Sequence, residues 1–246
     1  MLAPELLAAM ASGCWAVGAL FSAKASTEMG AFAFTRWRLF FAMCMLWLAA
    51  LYVGRWSELT LESIAWLSVS SWIGILIGDT ALFVCMNRLG PRRSGVLFAT
   101  HALFSALFAW LFLGETLWGM TLMGSGVLVS GVMVAIVWGR RGEETHAWEN
   151  TQGTLWMGVA MGLLAAVGQA VATLMIKPLM STGIDAVAAS AVRATASFVA
   201  HLLLLWAGLG LAKLANPLSW KTLLNTALSA GVSMVIGMTL ILQALK

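Results

Sequence analysis

Apolar residues run for about twenty positions at a time along this chain, and short polar breaks separate the runs. A helix rising about 1.5 Å per residue crosses a hydrocarbon core of about 30 Å in that length. The pattern predicts spans near 6 to 23, 31 to 53, 63 to 86, 94 to 113 and 117 to 138. A polar stretch, Arg140 to Gly153, then precedes spans near 154 to 176, 184 to 207 and 222 to 244. That makes eight. No segment alternates with period two strongly enough to suggest a membrane barrel.

Composition narrows the class. Of 246 residues, 61% are hydrophobic and only 10% charged, with a mean hydropathy of +0.92. A soluble domain would carry about 25% charged residues, so the fold class is all-α, a polytopic membrane helix bundle in contact with lipid. The formal charge of +4 sits in short loops and accompanies no RNA-binding motif, which disfavours a nucleic-acid partner. Cys14, Cys44 and Cys85 lie in apolar runs without metal-ligand spacing. They read as inert packing residues, and no cofactor or metal is expected. No Lys or Arg precedes Lys24, so the first run lacks a signal peptide's charged start and is expected to remain as a span.

Trp56, Trp118, Trp138, Trp156, Trp206 and Trp220 fall near span ends, as headgroup anchors do. Trp15, Trp47 and Trp72 fall nearer span centres, where an indole packs or lines a cavity.

The two parts of the chain echo each other. Lys24 and Lys177 each close a first span, Arg36 and Arg193 sit in second spans, and IGDT at Ile77 to Thr80 has a counterpart IGMT at Ile236 to Thr239. The offsets, 177 − 24 = 153, 193 − 36 = 157 and 236 − 77 = 159, grow slowly, as small loop insertions produce. A duplicated five-helix unit follows. Five is odd, so consecutive copies enter the membrane from opposite sides, the inverted repeat of many secondary transporters.

Ionisable groups inside spans are costly and become functional candidates by default. Asp79 is the acidic residue well inside a span, and must face the bundle interior, find a partner or hold a proton. Asp79 lies about seven residues before its helix ends near Met86, and His101 about seven after the next begins near Ser94. Both then sit roughly 10 Å below one face on neighbouring helices, flanking a short basic loop. His101 or Arg36 is the expected partner of Asp79, for proton coupling; Arg38 is read as snorkelling to the interface. Arg193 lies deeper, and either binds an anionic substrate group or joins an internal ion pair. Trp15 and Gln169 are further candidates for substrate contact, with packing as the alternative. His201 reads as a packing residue, and Glu115 as a solvated loop residue.

The stretches GCWAVGALFSAK (Gly13 to Lys24), FTRWRL (Phe34 to Leu39), the IGDTALF to LFLGET run ending at Thr116, and GQAVATLMIKPLMSTGIDAVAASAVR (Gly168 to Arg193) resemble the EamA-like family of the drug/metabolite transporter superfamily. The resemblance implies ten helices in two inverted five-helix repeats. It implies an alternating-access carrier of a small metabolite such as an amino acid or related compound, usually an exporter in the bacterial inner membrane and proton-coupled in some members. Residues 1–139 would be the first repeat, 140–153 the polar inter-repeat loop, and 154–246 a second repeat with three of its five helices. Eight spans of an expected ten raises a second reading, a non-transporting fragment or assembly partner. On either view a partner or oligomer is expected to supply the missing helices.

An enzyme is disfavoured: there is no HExxH, no GxSxG, and no second intramembrane Asp to form a dyad with Asp79. Lys24, Arg88, Arg92, Arg93, Arg140, Arg141, Lys213 and Lys221 fall on one side, and Arg55, Lys177 and Lys246 on the other. The positive-inside rule then puts the N-terminus outside the cytoplasm, whereas ten-helix relatives are generally described with both termini inside.

Overall fold

The computed structural model describes residues 3–53, 55–114, 119, 123–127, 130–131, 134 and 154–246. The expected fifth span, 117 to 138, and the polar stretch after it fall mostly or wholly outside these residues, as do Glu115, Trp118 and Trp138. Within them the protein is an all-α polytopic bundle with six helical runs long and apolar enough to cross a membrane. Lipid offers no hydrogen bonds, so each run must satisfy its own backbone, and a helix does.

Helices α1 (Pro4–Met29) and α2 (Ala31–Val53) are separated by Gly30 alone, at φ 81°. Helix α1 begins with Pro at its first position, where the missing N–H costs nothing. It continues past residue 23, so Lys24 lies within the helix, paired with Glu28 at 3.7 Å, instead of closing the span. Next come α3 (Leu61–Ser71), a π-helical stretch (Trp72–Asp79), α4 (Thr80–Ala99) and α5 (His101–Leu113). These form one run of 52 residues, Leu61–Phe112, where two spans and a basic loop were expected. The loop reduces to one residue. Gly90, at φ 82° and ψ 162°, breaks α4, and Pro91 follows it. Cys85 before the break and Leu97 after it both abut Gly162, so the chain doubles back there.

The remaining helices are α6 (Leu155–Met180), α7 (Ala186–Trp206), α8 (Trp220–Ser229), a second π-helical stretch (Ala230–Gly237) and α9 (Met238–Ala244). Short polar side chains set the starts. Thr60 and Ser63 form a capping box at α3, Asp185 accepts from the N–H groups of Val187 and Ala188 at α7, and Ser219 accepts from Thr222 at α8. Lys177, expected to close a span, lies inside α6.

Packing is crosswise. Helix α1 lies against α8, the second π stretch and α9, α6 lies against α3, the first π stretch and α4, and α2 meets α7. Small residues bring these backbones together, as association within lipid requires. A Cβ on Gly18 would stand 1.8 Å from Ser233 Oγ, and one on Gly74 would stand 2.6 Å from Ala172 Cβ. Leu39, Ala42 and Leu46 of α2 pack with Ile176 and Met180 of α6, Val192 of α7 and Met234 into the largest core cluster.

The tryptophans divide as their depth suggests. Trp56, Trp156, Trp206 and Trp220 are exposed to the surroundings. The indole N–H groups of Trp15, Trp47 and Trp72 donate to Ser233 O (3.2 Å), Thr195 Oγ1 (2.8 Å) and Ala196 O (3.2 Å), each tying the first part of the chain to the second. Of the cysteines only Cys85 is buried; Cys44 is exposed on α2, because helices in lipid can turn apolar side chains outward at no cost.

Candidate functional site

Each part of the described chain contains one π-helical stretch, Trp72–Asp79 and Ala230–Gly237. A π turn adds one residue to a helical turn and so shifts the direction of every later side chain. Asp79 is the last residue of the first such stretch. Its Oδ2 accepts a hydrogen bond from Arg38 Nη1 at 3.0 Å, an ion pair whose side chains are 8% (Arg38) and 16% (Asp79) exposed. The Arg38 guanidinium also lies over the Phe83 ring, 5.1 Å from its centroid, and Phe83 is held edge-on by Phe34 at 4.7 Å.

Two expectations are corrected here. Arg38 does not snorkel: it is buried, because α1 and α4 pack over this part of α2 and the acid supplies its counter-charge. Nor is Arg36 the partner of Asp79. Its Nη1 donates to Ala212 O at 2.7 Å, holding the short helical turn Gly210–Ala212 against α2. Two residues apart on a helix, the side chains point about 200° apart, so only one can reach the acid.

His101 does not bond to Asp79 either. Its Nδ1 lies 3.0 Å from Phe98 O, one turn back, and its ring stacks on Phe98 at 5.1 Å and meets Trp15 edge-on at 6.4 Å. What joins these residues is a cavity of about 330 Å3 lined by side chains from both parts of the chain. Asp79, His101, Arg193, Trp15 and Gln169 all line it, together with Arg38. Arg36 does not. His201 is fully buried away from it, beside Thr80 Oγ1 at 3.3 Å and Phe32.

The observed helix starts give Arg38 a counterpart. Helices α2 and α7 begin at Ala31 and Ala186, an offset of 186 − 31 = 155, and 193 − 38 = 155 as well. Arg38, not Arg36, therefore occupies the position in α2 that Arg193 occupies in α7. Among the described residues, no group of three or more His, Cys, Asp or Glu side chains could hold a metal ion.

An ion pair in the wall of a cavity, within helices that cross a membrane, is chemistry suited to carrying a solute, and the sequence match agrees. Residues 2–137, more than half the chain, match the EamA-like transporter family. The chain belongs to that family. The EamA-like protein is thus a multi-pass membrane transporter and not an enzyme. Its fold is similar to that of a solved structure described only as a crystal structure of a protein, with a TM-score of 0.63 at 18% identity. The alignment covers 99% of this chain and 79% of the other, and at that identity it speaks for the fold alone. No curated protein matches the chain.

Proposed function

We propose that the EamA-like protein is a proton-coupled exporter of a small metabolite in a bacterial inner membrane, working by alternating access between two inverted repeats. The observation that carries this reading is the Arg38–Asp79 ion pair in the cavity wall. A carboxylate that can exchange an arginine for a proton is a two-state element, and a carrier needs such an element to link proton uptake to a change of access. His101, lining the same cavity, is the second candidate on the proton route.

The recurrence of elements supports the repeat. Helices of 26 and 23 residues, then 11, then an eight-residue π stretch, are followed by helices of 26 and 21, then 10, then a second eight-residue π stretch. The crosswise packing supports it too, since the first helix of each part lies against the π stretch of the other. The break at Gly90 divides the 52-residue run into two segments, which we take as two spans.

Hydrogen bonds from Asn87 to Ser26 O and from Ala215 to Met29 O put the C-terminal end of α1, the Gly90 turn and the α7–α8 loop on one face. Lys24, Arg88, Arg92, Arg93, Lys213 and Lys221 belong to that face, which we take as cytoplasmic.

The test is flux in proteoliposomes holding the full chain, with a panel of labelled amino acids and organic acids under an imposed pH gradient. The expected result is gradient-driven accumulation of at least one compound, lost in Asp79→Asn while membrane insertion persists. Flux that ignores the gradient between pH 5 and pH 8, or an Asp79→Asn protein that still follows it, would overturn the proposal.

A further inference from the structure

Arg193 is 3% exposed, deep in α7, and its Nε has no hydrogen-bond partner. Among the described residues no side chain or carbonyl accepts from its guanidinium and no carboxylate lies within ion-pair distance. Asp79 is close enough to influence it, but its Oδ2 is held by Arg38 at 3.0 Å. The described residues of the cavity wall therefore hold two arginines against one carboxylate, an excess of one positive charge. Leaving a cation buried and unpaired is costly, and an arginine cannot shed its charge to escape the cost.

Gly74 packs tightly on Ala172 beside this guanidinium. A Cβ on Gly74 would lie 3.5 Å from both Arg193 Nη2 and Gln169 Oε1, so those two atoms stand no more than 7.0 Å apart, and both residues line the cavity. An arginine offers paired donors that match a carboxylate, and the Gln169 amide can add a third. Beyond this polar corner much of the wall is apolar: Ile75, Leu82, Phe98, Met238 and Ile241 contribute to it. Among the described residues Asp79 is the only carboxylate in the lining, and its Oδ2 is engaged by Arg38. An ammonium group would add to the positive excess of the described lining.

We infer that the cavity binds a small monocarboxylate with an apolar body, its carboxylate seated on Arg193 beside Gln169. This deepens the carrier reading of the same site by naming the charge class of its substrate: simple organic acids ahead of zwitterionic amino acids. The bound anion supplies the charge that Arg193 lacks, so the loaded cavity is neutral and cheaper to carry through a membrane interior than the empty one.

The experiment uses the full chain in lipid nanodiscs at one pH, without a gradient. Binding of 3-phenylpropionate and of hexanoate is measured beside the amine and the amino acid of each skeleton, in the parent, Arg193→Gln and Arg193→Lys proteins. The acids are expected to bind at least about tenfold more tightly than their amines and amino acids, and Arg193→Gln is expected to lose about tenfold or more in acid affinity. Arg193→Lys should retain part of it. Without ligand, Arg193→Gln should unfold at the parent's temperature or above, because it removes an unpaired buried cation. Amino acids binding as tightly as acids, no saturable binding of either acid, acid affinity unchanged in Arg193→Gln, or a lowered unfolding temperature in that variant would each overturn the assignment. A lowered temperature would make Arg193 a structural tie. Because no gradient is present, failure here leaves proton-coupled flux standing, and failure of the flux assay leaves the binding result standing.

Discussion

Cutting the Arg38–Asp79 pair from either side should destabilise the protein sharply, whereas removing both charges together should not. At 3.0 Å between nitrogen and oxygen the charge centres are close to 4 Å apart, and with an effective dielectric of about 20 their attraction is about 4 kcal/mol. The side chains are only 8% and 16% exposed, so water replaces little of what is lost. Removing one partner of such a pair typically costs about 3–5 kcal/mol. Asp79→Leu should be the worse single change. It leaves Arg38 charged with Arg193 nearby, while the acid left by Arg38→Met can take up a proton. The double variant Arg38→Met/Asp79→Leu should lie within about 2 kcal/mol of the parent, since both charges have gone and apolar side chains fill the space. Equilibrium unfolding in mixed lipid and detergent micelles, followed by tryptophan fluorescence, measures all four corners of the cycle. A coupling energy below about 1 kcal/mol, with the two single losses simply adding, would show that the charges do not depend on each other and would refute the reasoning.

Gly18→Ala should destabilise by about 1–3 kcal/mol, because its Cβ would stand 1.8 Å from Ser233 Oγ, while Gly13→Ala, with nothing within 4 Å, should be neutral or mildly stabilising in the same unfolding assay. Gly90→Ala should cost about 1–3 kcal/mol, since φ 82° with ψ 162° is a conformation that side-chain-bearing residues avoid; an unchanged unfolding curve would mean the turn relaxes elsewhere. In a background lacking Cys14, Cys44 and Cys85, an impermeant maleimide added to intact cells should label Arg55→Cys and spare Lys213→Cys, and the opposite pattern would reverse the orientation proposed above.

Much of the fold was written into the spacing of apolar residues. Five of the expected spans, those starting near 6, 31, 154, 184 and 222, each coincide with a helical run, because a backbone in lipid has few alternatives to a helix about twenty residues long. Helix ends were less legible. Lys24 and Lys177 read as the ends of spans, but a helix can carry a lysine outward in its last turns, and nothing local forces it to stop. Nor did the pattern reveal that the polar break around Asn87 to Arg93 would stay helical except at Gly90. The π stretches were also invisible: Gly74 and Gly78 marked close packing, which the structure bears out at Ala172 and Gly168, but not the extra residue per turn that turns Asp79 toward the cavity.

Which buried charges exist was decided by the sequence alone, through their cost in a membrane; which of them meet was not. Asp79, His101, Arg193, Trp15 and Gln169 could be picked from depth and residue type, and they share one cavity. Choosing Arg38 over Arg36 as the partner of Asp79 required the rotation of α2 against its neighbours, since two residues along a helix reverse a side chain's direction while barely changing its depth. Depth is a property of position along one helix and can be read from a string of letters. Facing depends on how several helices settle against one another, and here small residues at Gly18, Gly74 and Gly162 settle it. That is why the tertiary structure alone could pair Asp79 with Arg38 and leave Arg193 with no counter-charge among the described residues.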